Sequence, residues 1–190
     1  MKRRILGSLA LIALAAITVS SQLLTGSFLP EIWAVLASPL TSSGGQLDPT
    51  FGSGGKVRTG FGMSGDDVAY AGVVQSDGKL ITVGEGYLNR PNLTLVRYNT
   101  DGSLDSSFGG DGVVSADLGY YSSRAQAVAL QPDGKIVAGG KMADAGTEQF
   151  LLARFNFDGS IDPTFGNGGW VRTDIEYFSW INAIVIQTDG

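Results

Sequence analysis

The acidic side chains offer the widest choice of chemistry in this chain, because all 190 residues include no histidine and no cysteine. The commonest general base, the commonest zinc ligand, the thiol nucleophile and every disulfide are therefore absent. Carboxylate chemistry remains, and its most concrete form is glycoside cleavage by two facing acids. The acids that could approach one another are Asp66, Asp67, Glu85, Glu148 and Glu176. Their spacing singles out no pair, so we predict no catalytic residue and keep a carboxylate hydrolase as the alternative.

Two acidic motifs, at residues 99–105 and 156–162, resemble the middle of a calcium loop, where oxygen ligands alternate around a glycine. Both fail at their ends, since arginine occupies the first ligand position and phenylalanine stands where a bidentate glutamate is required. We therefore predict no metal site and no cofactor. The motifs favour hairpin turns in which Asp101 and Asp158 accept hydrogen bonds from their own backbone.

Charged and aromatic residues recur around these turns. Arg97 and Arg154 stand ahead of Asp105 and Asp162, which favours an ion pair that holds the scaffold together. The phenylalanines of the same motif are expected to pack between neighbouring units; they are Phe51, Phe108 and Phe165.

The elements that must position these residues are internal repeats. The hexapeptides LDPTFG, LDSSFG and IDPTFG begin at Leu47, Leu104 and Ile161, each 57 residues after the one before (104 − 47 and 161 − 104). Self-similarity at a fixed period indicates supersecondary units that bury their apolar faces against their neighbours.

Each unit contains four short apolar runs rich in β-branched residues and separated by Asp-Gly turns, which predicts four antiparallel strands. No segment after Pro39 has a helical pattern. The first unit has runs at 68–75, 79–87, 93–99 and 112–119, and the second has runs at 125–131, 135–142, 150–156 and 169–176. The predicted fold is all-β, with tandem four-stranded antiparallel blades of a β-propeller.

The combination of QPDGKI, ARFNFDGSID and DPTFGNGG resembles the delta-60 repeat, a bacterial repeat of large exported proteins. The resemblance covers Leu47–Gly190 and implies a β-propeller and a surface location, while it implies no biochemical role. A propeller typically needs four to eight blades. The chain supplies an orphan strand at 55–62, blades at 68–119 and 125–176, and the start of a third blade at 180–190, so we expect a partial propeller from a longer protein.

The N-terminal region has the composition of a signal for export. Lys2, Arg3 and Arg4 precede the apolar stretch Ile5–Val19, which is typical of a secretory signal peptide. Cleavage after Ser21 and cleavage after Ala37 are both compatible with the pattern, and an uncleaved signal-anchor is the alternative. We expect residues 1–37 to be this segment, 38–46 a linker, and the protein to be secreted or displayed at the cell surface. Only an uncleaved segment would contact a membrane.

The strand order separates two ends of the blades. One end carries the repeated turns, and the other carries connections that differ between the units, which is where binding specificity usually lies. The candidate binding residues on that variable end are Tyr87, Asn89, Arg90, Tyr120, Tyr121, Arg124, Tyr177, Phe178 and Trp180. Their types are common at recognition surfaces. The structural alternative is that the aromatic rings only cap and pack the blades.

Charge excludes one class of partner. Without residues 1–37 the chain keeps 10 basic and 17 acidic residues, a net charge of −7. Nucleic-acid binding requires clustered lysine and arginine, so we predict no nucleic-acid partner. The sequence favours an exported module for noncovalent interaction with a protein or carbohydrate, and a spacer without a ligand is the second alternative.

Overall fold

The computed structural model of the chain describes residues 45–60, 67–87, 90–144, 146–175 and 178–188. These residues lie almost entirely in the compact unit Leu47–Gly190. The predicted signal segment lies outside the described residues, as does nearly all of the linker. The same is true of the candidate binding residues Asn89 and Tyr177 and of the acids Asp66 and Glu176.

Eight strands form two four-stranded antiparallel sheets, as the sequence predicted. The first sheet contains β1 (Val68–Val74), β2 (Leu80–Tyr87), β3 (Pro91–Tyr98) and β4 (Val113–Ala116). The second contains β5 (Ser122–Leu130), β6 (Ile136–Asp144), β7 (Thr147–Phe155) and β8 (Trp170–Thr173). In both sheets each strand pairs with its neighbour in the chain. The described residues form no helix, and none of their segments is a candidate for a helical membrane span.

Several strand ends differ from the prediction. β6 and β7 run on to a tight hairpin in which Asp144 pairs with Thr147, so β7 begins three residues before the predicted Phe150. β5 also begins three residues early, because Ser122 pairs with Ala143 on the lengthened β6. β4 and β8 are only four residues long, and each pairs over its whole length with the third strand of its sheet.

The expected strands at 55–62 and 180–190 do not form ladders in their described parts. Residues 57–60 and 181–187 have no strand assignment, and Lys56 makes only an isolated bridge with Gly52. The segment at 55–62 was predicted as a fourth strand, which pairs with the third strand of its own blade, and both described third strands already pair with β4 and β8.

The repeated turns have the predicted chemistry. Asp101 Oδ1 accepts hydrogen bonds from the Ser103 N–H at 2.9 Å and the Ser103 hydroxyl at 2.6 Å. Asp158 accepts the same two bonds from Ser160, at 2.9 and 2.6 Å. The glycine between them lies at positive φ, +84° for Gly102, a conformation that costs glycine little. The predicted hairpin turn, in which each aspartate accepts a hydrogen bond from the nearby backbone, is confirmed.

A β-bulge repeats in the first strand of each sheet. The register shifts between Ala69 and Ala71 in β1, and between Ala125 and Ala127 in β5. The bulge brings the strand backbone onto a glycine of the next strand. A Cβ added to Gly84 would lie 1.8 Å from the Val68 carbonyl oxygen, and one added to Gly140 would lie 2.2 Å from the Arg124 carbonyl oxygen.

The two sheets share one hydrophobic core. β5 packs against β1, β2 and β3 of the first sheet. Phe108, which follows β3 in the chain, has no exposed surface and lies in the same buried cluster as Phe155 of the second sheet. Phe51 and Phe165 are only half-buried. The expectation that all three repeated phenylalanines are enclosed between blades therefore holds fully only at Phe108, the one that lies between the two described sheets.

An ion-pair cluster ties the repeated turns to the strands, as predicted. Arg97 is fully buried, and its Nε donates to Asp105 Oδ2 at 2.6 Å. Lys79 Nζ donates to the same oxygen at 2.8 Å. Burial opposes the charged form of Asp105, but the hydrogen bonds from Lys79 and Ser107 and the charge of Arg97 outweigh it and hold the pKa of this carboxyl well below its usual range.

The second sheet repeats the cluster with Arg154, Asp162 and Lys135. Arg154 Nε lies 2.8 Å from Asp162 Oδ2, and Lys135 Nζ lies 3.0 Å from the same oxygen. Hydrogen bonds from Thr164 and Lys135 hold the pKa of Asp162 well below its usual range. Both repeats therefore depend on an ionised aspartate at the same position.

Asp105→Asn should lower the free energy of unfolding at pH 7 by about 3 kcal/mol, because it leaves the buried Arg97 without its counter-charge. A carboxyl whose pKa is lower in the folded state stabilises the fold above its unfolded pKa of about 4 and loses that contribution as the pH falls further. Unfolding free energies from urea titrations between pH 7 and pH 2.5 should fall below about pH 4, and less steeply in Asp105→Asn. The exposed turn variant Asp111→Asn serves as the control. Equal acid dependence in all three proteins would contradict the prediction.

Gly84→Ala and Gly140→Ala should each lower the free energy of unfolding by roughly 2 kcal/mol or more, because the new methyl group collides with a backbone carbonyl that cannot rotate away. Gly60→Ala is the matched control, since its added Cβ would have no neighbour closer than 3.9 Å. Urea unfolding followed by tryptophan fluorescence measures all three. Normal stability of both strand variants would show that the bulge can shift to accept a side chain.

Candidate functional site

The antiparallel order of the strands places the differing connections at one end of the two sheets. This variable end consists of the connections between β2 and β3, β4 and β5, and β6 and β7, together with the segment that follows β8. The repeated Asp-Gly turns lie at the opposite end of the strands.

A cavity of about 590 Å³ opens on the variable end of the second sheet. It is lined by Tyr121, Ser122, Ala143, Asp144, Gly146, Thr147, Glu148 and Phe178. Two of these residues, Tyr121 and Phe178, belong to the candidate set from the sequence. Their side chains are 78% and 68% exposed, so two aromatic rings face solvent at the rim of one cavity.

The second sheet holds the walls of this cavity in place. Ser122 pairs with Ala143 at the start of β5. The β6–β7 hairpin is closed by the Thr147 hydroxyl, which donates to the Asp144 carbonyl at 2.9 Å. Phe178 bridges to Glu148, and the next residue, Ser179, donates its N–H to the Glu148 carbonyl at 2.9 Å. The rim residue Phe178 is thus fixed through the backbone of β7.

The cavity has an acidic lining. Glu148 forms an ion pair with Lys141. Asp144 is exposed, and its carboxylate makes no ion pair or hydrogen bond with the described residues. Ser122 and Thr147 add hydroxyl groups to the same wall. The arrangement can accept hydrogen bonds from a ligand beside two exposed aromatic rings.

Tyr120 serves a different purpose from its neighbour Tyr121. Its ring meets the Trp170 ring edge-on, with centroids 5.5 Å apart, and it packs against the hydrophobic core. The packing alternative from the sequence therefore describes Tyr120 well.

Two candidate arginines have partners within the scaffold. Arg124 lies over the Tyr70 ring at 5.3 Å, and its Nη1 is 3.8 Å from Glu85 Oε2, so it links the two sheets. Arg90 forms an ion pair with Asp117, which follows β4 in the β4–β5 connection. Neither arginine lines the cavity.

The remaining described candidates lie outside the cavity lining. Tyr87 is half-buried, and its backbone N–H donates to Asp67 at 3.0 Å. Trp180 is 44% exposed and follows Phe178 by two residues. The structure therefore brings together two of the seven described candidates and distributes the others around the blades.

Two of the acids that the sequence offered for glycoside cleavage have basic neighbours. Glu85 lies beside Arg124, and Glu148 is paired with Lys141. No group of three or more acidic side chains among the described residues could hold a metal ion.

A second cavity, of about 670 Å³, lies between β4 and the turn at 158–161 of the second sheet.

Sequence reasoning missed the polar wall of the cavity, which is formed by Ser122, Asp144 and Thr147. A signal was available, because the segment from Gly134 to Arg154 spans 20 positions where Gly78 to Arg97 spans 19. The extra position goes into longer strands, since β6 and β7 have nine residues each where β2 and β3 have eight, and the wall residues Asp144 and Thr147 are the strand ends that face each other. A length difference, however, does not reveal which side chains it exposes.

Comparison with known families agrees with the fold. A family described as a domain of unknown function (DUF5122) beta-propeller matches residues 75–108 and 131–165. These segments run from the first repeated turn to Phe108 in the first sheet, and over the equivalent stretch of the second. No curated protein and no solved structure matches the chain. The two four-stranded antiparallel sheets have the architecture of propeller blades, and the matched segments of the chain are similar to that family.

Proposed function

We propose that this chain is an exported β-propeller module, of the delta-60 type, that binds a carbohydrate noncovalently at the variable end of its second sheet. One observation carries the proposal. Two highly exposed aromatic rings, Tyr121 and Phe178, flank a cavity whose wall holds the Asp144 carboxylate, which has no partner in the described part of the chain. Binding sites combine apolar or aromatic surface with a few polar groups that fix orientation.

A glycan fits this chemistry better than a nucleic acid or an acidic ligand. The apolar face of a sugar ring can stack on an aromatic side chain, and its hydroxyl groups can donate to Asp144 and exchange hydrogen bonds with Ser122 and Thr147. The described lining holds Asp144, which has no ion-pair partner among the described residues, Glu148, which is paired with Lys141, and no cationic side chain, so it is a poor site for an anion. A protein partner remains an outcome that the experiment below can reveal.

Export is supported by the N-terminal sequence. Three basic residues precede a 15-residue apolar stretch, Ile5–Val19, which is shorter than a bilayer span of about 20 residues. The two candidate cleavage sites stay alternatives. The proposed role outside the cell is binding, and two of the candidate acids for catalysis, Glu85 and Glu148, lie beside basic side chains.

Tyr121→Ala and Phe178→Ala should each weaken retention on cell-wall glycans about five- to tenfold, because one stacked ring contributes roughly 1 kcal/mol. Affinity electrophoresis in gels that contain the glycans measures the retention. Neither change should shift the thermal unfolding transition, since both rings are largely exposed. Retention that survives high salt would separate stacking from nonspecific charge attraction.

The neighbouring variant Tyr120→Ala is the matched control for this experiment. It removes a tyrosine side chain from the position next to Tyr121. It should lower the unfolding temperature, because Tyr120 packs on Trp170. Equal glycan retention by all three variants, or no retention by the native protein on any glycan tested, would overturn the proposal. Capture of a single extracellular protein by the native chain but not by Tyr121→Ala would replace the carbohydrate with a protein partner.

A further inference from the structure

One backbone contact joins successive repeats, and it occurs twice. The Gly52 N–H donates to the Asp101 carbonyl at 2.7 Å, and the Gly109 N–H donates to the Asp158 carbonyl at 2.9 Å. Both glycines end the repeated hexapeptide, and both acceptors belong to the Asp-Gly turn of the following repeat. Each repeat therefore contacts the next through a backbone hydrogen bond to its Asn-x-Asp-Gly turn.

A buried arginine completes this contact between the two sheets. Arg97 Nη1 donates to the Phe157 carbonyl at 2.5 Å, one residue before Asp158. Its guanidinium lies between the rings of Phe108 at 4.5 Å and Phe157 at 4.8 Å. The first repeat thus contacts the turn of the second through two hydrogen-bond donors, the Gly109 N–H and Arg97 Nη1, and the Phe108 ring packs on the same guanidinium.

The second repeat contains the residues that are equivalent to this contact surface of the first. Gly166, Arg154 and Phe165 follow Gly109, Arg97 and Phe108 by 57 residues each. Arg154 lies 4.7 Å from the Phe165 ring, and its Nε and Nη2 bond Asp162 and Thr164 as Arg97 bonds Asp105 and Ser107. Among the described residues, nothing accepts from the Gly166 N–H or from Arg154 Nη1. The Arg154 side chain is 19% exposed where that of Arg97 is 0%.

We propose that Gly166, Arg154 and Phe165 form a docking surface for an Asn-x-Asp-Gly turn supplied by a further repeat of this kind, with an aromatic residue at the x position. Two carbonyls of the turn accept from the Gly166 N–H and Arg154 Nη1, and the aromatic ring covers the guanidinium. The partner is a third turn, because Gly52 and Gly109 already occupy the two turns of the described repeats. In the described part of a second copy of this chain, both Asn-x-Asp-Gly turns would be occupied in the same way.

The test uses the whole chain, labelled with ¹⁵N, and a backbone-cyclised peptide that contains FNFDGSI, the sequence of the turn that Arg97 binds. The peptide should shift the Gly166 amide resonance in a saturable manner and slow its hydrogen exchange. The Gly109 amide, which already donates to Asp158, is the internal reference and should not move. A control peptide with alanine in place of the glycine should bind much more weakly, because that glycine lies at φ +87° in the native turn.

Arg154→Lys should lower the affinity for the peptide about tenfold. Lysine keeps the charge near Asp162 but lacks the planar guanidinium, which can bond Asp162 and a turn carbonyl at the same time. Arg58→Lys makes the same chemical change on the exposed segment before β1 and should leave binding unaltered. An unmoved Gly166 amide at millimolar peptide, equal binding of the alanine peptide, or full binding by Arg154→Lys would each overturn the proposal. A Gly166 shift that grows with protein concentration alone would also overturn it, because the occupant would then be a second copy.

Discussion

The buried guanidinium of Arg97 is the constraint on which the joining of the two sheets depends. A charge without solvent contact is tolerated only when its donors are satisfied, and the donors of Arg97 are satisfied by groups from both repeats. Asp105 and Ser107 accept from within the first repeat, while the Phe157 carbonyl accepts from the second. The arginine therefore fixes the distance between a strand of one sheet and a turn of the next.

The turn that meets Arg97 is held by local chemistry. Asp158 and Ser160 close the turn through their own hydrogen bonds, and Gly159 lies against the Phe108 ring and the Val114 side chain of the first sheet. A side chain at Gly159 would collide with both, so the same glycine serves the turn and the contact between the sheets. Local and long-range requirements agree at this residue, as expected for a sequence that specifies one fold.

A rigid repeated end leaves the opposite end free to vary. The connections at the variable end carry no part of the arginine cluster, and they differ in length and sequence between the two repeats. In the second sheet β6 and β7 are each one residue longer than β2 and β3, and their ends at Asp144 and Thr147 form a wall of the cavity beside Tyr121 and Phe178. This division between a constant scaffold and variable loops is the usual basis of binding specificity.

The sequence by itself determined the all-β class, the four strands of each unit, their antiparallel order, the Asp-Gly turns and the pairing of Arg97 with Asp105. These features are local or repeat at a fixed period, so alternation, turn residues and spacing were enough to predict them. Only the tertiary structure decided which aromatic residues reach solvent. Tyr120 and Tyr121 are adjacent and identical in type, yet one packs on Trp170 and the other lies at the cavity rim. Their difference arises from contacts with residues about 25 to 60 positions away in sequence, and no local pattern encodes such contacts.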